Sequence, residues 1–323
     1  MRNVICTVSF ILLFLSCQNK SQKILAITET NTWSDTVNYR LATAEEARKL
    51  LVVEDHYIRN RSPFDIASRL ENPEGKKEDL MKLMTEEVRD WTDKEKTQID
   101  QLRTAINDSI RKHQYHLQFP KEIILVKSTL KDEGEAGGYT RKNFIVLMGG
   151  DIRQTLLLHE TFHVLTRNNP EFKKKMYETI GFTVTPEELE YPKDLWDMRI
   201  SNPDSERFDS YATFTIDGKQ QKCAMVLYAN RPYTTGKFFH YITIGMVPLD
   251  EQLKPIQENG KTIVYPLEKV SDFYEKVGRN TGYIIQPEEI LADNFVIAFL
   301  NYPKVPTPEL KDKIRNLLKQ SPK

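Results

Sequence analysis

LLLHETFH, residues 156–163, places two of the six histidines of a 323-residue chain four positions apart, with an acid between them. Around it, Leu156, Leu157, Leu158, Phe162 and Leu165 predict an amphipathic helix. Gly149-Gly150 breaks the preceding segment. Asp151, with Gln154 three residues on, reads as a capping box that starts the helix. Asn168-Asn169-Pro170 stops it after Arg167. On such a helix His159 and His163 share one face about one turn apart. They are either core histidines or a pair of metal ligands.

Upstream, Glu122 to Val126 (EIILV) and Asn143 to Met148 (NFIVLM) read as strands. Glu133 to Arg141 (EGEAGGYTR) reads as a glycine-bearing turn between them. Ala42–Asp55 and the charged region Lys76–Lys112 read as helices, the latter on Leu80, Leu83, Val88, Trp91, Ile99, Leu102 and Ile106. Downstream, Glu171–Ile180 reads as a helix. Tyr211–Ile216, Asp217-Gly218 and Cys223–Tyr228 read as a hairpin. Phe238–Val247 is a further strand candidate and Val270–Val277 a helix. Pro287 opens a last strong helix, PEEILADNFVIAFL, ended by Asn301-Tyr302-Pro303. This order predicts one α+β domain, with a small sheet beside the histidine helix and a mostly helical N-terminal part.

Hydrophobic residues make up 39% and charged residues 28% of the chain, a balance that supports a packed core. Formal net charge is zero, so a nucleic-acid partner is not indicated. Arg2 followed by the apolar run Val4–Leu15 fits a secretory signal and is too short to span a bilayer. Ser16-Cys17 after that run resembles the lipobox of bacterial lipoproteins, with Phe14 where Leu is usual. The resemblance implies a signal peptide over 1–16, lipid on Cys17 and a polar tether over 17–40. The protein would then be exported and held to a membrane, at the periplasmic face or cell surface. A plain signal peptide cut near the same point is the alternative. With Cys6 in the leader and Cys17 lipidated, Cys223 alone remains, which excludes an internal disulfide and a cysteine-rich metal site.

Two neutral imidazoles at this spacing can hold one zinc ion, and Glu160 can reach a water on that ion as general base. HETFH is an H-E-x-x-H sequence, the metalloprotease motif. A hydrolytic zinc site needs a third protein ligand. After His163 comes Val-Leu-Thr-Arg-Asn-Asn, which lacks the histidine of the metzincin pattern. His240, in a strand candidate, is the only later histidine, so carboxylates are the better candidates. Glu289 and Asp293 lie four apart on the last strong helix and share a face.

This pair is similar to the glutamate helix of the gluzincin branch of zincin metallopeptidases. The resemblance implies a zincin-like domain over 41–323: a helical part to 120, then a catalytic part with a β insertion at about 205–265. It implies Zn2+ held by His159, His163 and Glu289, with Asp293 bonded to the free ring nitrogen of His159. The acids Asp204, Glu206 and Asp209 stay open as competing third ligands. Glu288 stands where thermolysin-like enzymes have Asn, and the stretch between the zinc helices is longer than in compact gluzincins. Asn143–Met148 is either the edge strand that pairs with extended substrate, with GGYTR as its rim loop, or an ordinary sheet strand. Tyr283 is the candidate oxyanion donor, and Tyr228, Arg231 and His240 are further ones. The implied activity is hydrolysis of a peptide or protein substrate by a zinc-bound water that Glu160 activates. The alternative is a surface-anchored binding lipoprotein with a structural or vestigial zinc site.

Overall fold

The computed structural model describes residues 33–320, and the expected signal peptide and lipidated Cys17 lie outside them. Helices and sheets occur together, so the fold is α+β. A four-stranded sheet has the order Tyr39–Leu41, Ile123–Lys127, Phe144–Leu147, Gly138–Arg141. Its first three strands are parallel, and the last is antiparallel to its neighbour. Its apolar residues alternate as a two-residue period demands. Ile123, Leu125, Ile145 and Leu147 face one core, while Ile124, Val126, Phe144 and Val146 face another. The helices Ala44–Leu51 and Lys77–Glu86 cover the second face through Ala47, Leu50, Leu51, Leu80 and Met84. The first face receives the long helix Asp93–His113, the histidine helix Gln154–Asn168 and the glutamate helix Pro287–Phe299.

A five-stranded antiparallel sheet follows the histidine helix. Its order is Tyr265–Pro266, Ile242–Pro248, Lys219–Ala229, Ser210–Ile216, Thr183–Val184. The hairpin at its centre turns on Asp217 and Gly218, both at positive φ, as a two-residue type I′ turn requires.

Several sequence expectations are corrected here. The residues read as a tether enter the fold at Trp33, which pairs with Pro120, and Tyr39–Leu41 is a sheet strand. The histidine helix starts at Gln154, not Asp151. Asp151 accepts from Gln98 of the long helix, and Ile152 is buried, so the chain stays extended through Arg153. GGYTR is not a loop: Gly138–Arg141 is itself the edge strand, and Phe144–Leu147 lies inside the sheet. The cause is a tight turn at Lys142-Asn143, with Lys142 at positive φ. Phe238–Tyr241 forms a 3-10 turn before the strand Ile242–Pro248. The glutamate helix is not the last one. Pro308–Leu318 follows it, burying Leu310, Ile314 and Leu318 on one stripe.

Candidate metal centre

The histidine and glutamate helices pack face to face, with the rings of Phe162 and Phe295 5.3 Å apart. This contact aligns two polar patches. The rings of His159 and His163 lie 4.9 Å apart at 77°. Glu288, Glu289 and Asp293 project toward them from the first turns of the glutamate helix. His159 Nδ1 is 3.0 Å from Asp293 Oδ1, and His163 Nδ1 is 3.2 Å from Glu288 Oε1. An ionised carboxylate only accepts, so each Nδ1 donates, and each Nε2 is left to present a lone pair to an ion once it gives up any proton.

Both Nε2 atoms point at one oxygen. Glu289 Oε2 lies 3.0 Å from His159 Nε2 and 3.7 Å from His163 Nε2. Ligand atoms about 2.0–2.1 Å from one tetrahedral ion are about 3.3 Å apart, the same range. The other Glu289 oxygen accepts from Asn202 Nδ2 at 2.6 Å. His163 Nε2 is buried and has no hydrogen-bond partner. A buried acceptor left unpaired is costly, and a cation at the common point satisfies it. The three residues therefore fit a divalent ion of the zinc type, with their ligand atoms all within 4.8 Å of one another.

Glu160 sits on the cleft side of this triplet and is 2% exposed. Thr140 Oγ1 donates to its Oε2 at 2.8 Å. A Cβ added at Gly138 would lie 3.1 Å from Glu160 Oε1, so a side chain there would crowd the acid. Burial, and then the charge of Asp204, push the Glu160 carboxyl up to about 8. Burial and Glu289 likewise hold Asp204 well above the usual carboxylate range. Burial opposes the His159 imidazolium, but its hydrogen bonds to the carboxylates of Asp293 and Glu289 outweigh it and hold its pKa well above normal. Negative charge exceeds fixed positive charge here, an environment that favours a cation.

Among the competing acids, Asp204 alone reaches this region, forming a second close group with Glu160 and His163. Glu206 faces Arg167, and Asp209 is bound by Lys173 and Arg207. A cleft of about 400 Å³ opens over the triplet, lined in part by Gly138, His159, Glu160, Asp204, Tyr283 and Glu289. The Tyr283 ring lies 6.1 Å from that of His159. Tyr228, Arg231 and His240 do not line the cleft: Tyr228 pairs with Thr243, and Arg231 lies over the Tyr241 ring.

Sequence reasoning passed over Glu288, taking it only as a departure from a pattern. It is 2% exposed and accepts from Thr166 and, at 2.7 Å, from Tyr177, besides holding His163. Thr140 and Asn202 were equally invisible, since neither stands in a motif. In comparisons with family models, with curated proteins and with solved structures, no match was found.

Proposed function

We propose that the protein is a zinc-dependent metallopeptidase of gluzincin-like architecture. One observation carries this: the lone pairs of His159 and His163 and one oxygen of Glu289 converge beside a buried, hydrogen-bonded Glu160. Bound there, the ion would lower the pKa of a water and polarise a carbonyl. Glu160 takes the proton of the attacking water and passes it to the departing amide nitrogen, so that a C–N bond breaks as a C–O bond forms. Thr140 aims its carboxylate. Asp293 and Glu288 fix the tautomers of the imidazoles. Tyr283, at the rim, would donate to the carbonyl oxygen as charge develops there. The outward backbone of Gly138 offers an extended peptide a strand to pair with.

The test is purification with metal analysis, then cleavage of an unfolded protein by wild type and Glu160→Gln. One zinc per chain is expected in both, with the variant slower by roughly 10²–10⁴-fold. Full activity of zinc-loaded Glu160→Gln would sink the mechanism. The leader belongs to the same proposal: we take the chain to be exported and lipid-anchored at Cys17, so fatty-acid labelling should vanish in Cys17→Ser. Among the described residues, no helix is long and apolar enough to cross a membrane.

A further inference from the structure

The open edge of the four-stranded sheet ends at a carboxylate. In the edge strand, Thr140 N donates to Asp204 Oδ1 at 2.6 Å. The amide of Thr140 therefore faces away from its partner strand, and by the two-residue period that of Gly138 does too. Gly138 borders the cleft, together with Ala136 and Gly137. Thr140 is fully buried and its amide is already taken. A peptide adding to this edge can pair at Gly138 and must stop before Thr140.

The stop is firmly built. Arg167 Nη2 donates to the carbonyls of Pro203 and Asp204, at 2.9 and 3.1 Å. Asp204 N donates to Asn202 Oδ1, and the Asn202 amide donates to Glu289 and Gln286. Asp204 also borders a second cavity of about 610 Å³ and so forms the partition between it and the cleft.

An antiparallel addition, the more stable pairing, places the amino end of the peptide toward Thr140 and Asp204. The carboxylate meets an ammonium. A parallel addition would bring a carboxylate terminus against it. The ligand atoms of Asp204, Glu160 and His163 lie within 4.8 Å of one another. An extended chain advances about 3.5 Å per residue, so a terminus held by Asp204 lies about one residue ahead of the bond presented to Glu160.

We infer that the cleft binds peptides by a free α-amino terminus, with Asp204 as its acceptor, and that the protein trims residues from amino ends. The inference rests on the metallopeptidase reading for its chemistry, but not for the binding preference.

The experiment uses the purified chain loaded with Zn2+ and paired hexapeptides of one sequence, free or acetylated at the amino end. Free peptides should lose residues from that end, and acetylation should slow cleavage about tenfold or more. Asp204→Asn should raise KM for the free peptide by a similar factor and erode the preference, with zinc content kept. Calorimetry on zinc-loaded Glu160→Gln should show the same preference in binding. Equal cleavage of both peptides, or internal cuts, overturns the inference and leaves the peptidase reading standing. Preferential binding without wild-type cleavage does the reverse. Equal binding with no cleavage overturns both. The acetylation arm needs no variant, so a misfolded Asp204→Asn protein does not blunt the test.

Discussion

Consecutive residues of one strand touch two buried sets of ionisable groups, and Glu133 in one behaves oppositely to Glu160 in the other. The Thr140 hydroxyl donates to Glu160 in the cleft, while the Tyr139 hydroxyl donates to Asp132 on the other face. Beside Asp132, Glu133 accepts from Arg61, Arg69 and Tyr57. Asp65 accepts from Arg69 and from the amides of Ser62 and Ser201. Burial opposes ionisation of Glu133, but the charges of Arg69 and Arg61 prevail and hold its pKa below normal. In the cleft the charge of Arg167 on Asp204 is outweighed by burial and by Glu289, and Glu160 and Asp204 are pushed up instead. A buried carboxylate that carries its own arginine holds the fold together. One in a cleft that lacks it leaves a place for a cation from outside, which the proposed metal ion or a substrate ammonium would fill.

Four experiments would break or sharpen this contrast. The largest effect is expected at the triplet: His163→Ala or Glu289→Ala should abolish stoichiometric zinc and all zinc-dependent hydrolysis, read by metal analysis and turnover. Retained zinc in both variants would mean the triplet is not the site. Next, Arg69→Met should cost about 3–5 kcal/mol in denaturant unfolding, because it leaves buried Glu133 and Asp65 short of a partner. Zinc added to that variant should not restore the loss, since the deficit lies on the other face of the strand.

A smaller change is expected from Glu288→Gln. It keeps the shape but weakens the hold on His163 Nδ1, and zinc affinity should fall about 10–100-fold in a chelator competition. An unchanged affinity would make Glu288 a packing residue only. The smallest effect concerns Asp132, whose carboxyl is raised to about 6 by burial, with the neighbouring Glu133 charge adding to it. Its Oδ1 is buried without a partner. Because the folded pKa lies above the unfolded value, ionised Asp132 penalises the fold above pH 6, and the penalty fades as pH falls toward 4. Asp132→Asn should therefore stabilise by about 1–3 kcal/mol at pH 8 and by nothing measurable near pH 4. A pH-independent difference would reject that account.

The helices were legible in the sequence where an apolar stripe repeats for several turns, as at Gln154–Asn168 and Pro287–Phe299. The hairpin on Asp217-Gly218 was legible because its turn demands those residue types. Pro308–Leu318 has as clear a stripe and was missed only for standing after a strong stop at Pro303. The edge strand was misplaced because its glycines were read as a turn. Only pairing with Phe144–Leu147 makes Gly138 a strand residue, and only the nearness of Leu147, Glu160 and the Val146 carbonyl explains why no side chain stands there.

By itself the sequence determined the one-turn spacing of His159 and His163, the acid between them, and the four-residue spacing of Glu289 and Asp293. Those are properties of a single helix, set by 3.6 residues per turn. Tertiary structure decided which acids meet the histidines. It brought Glu289 between the two lone pairs, gave Glu288 to His163, sent Glu206 and Asp209 to cations, and set Asp204 on the amide of Thr140. Helix-to-helix and loop-to-strand distances depend on the packing of Phe162, Phe295 and the core around them, and no local spacing in the chain encodes that packing.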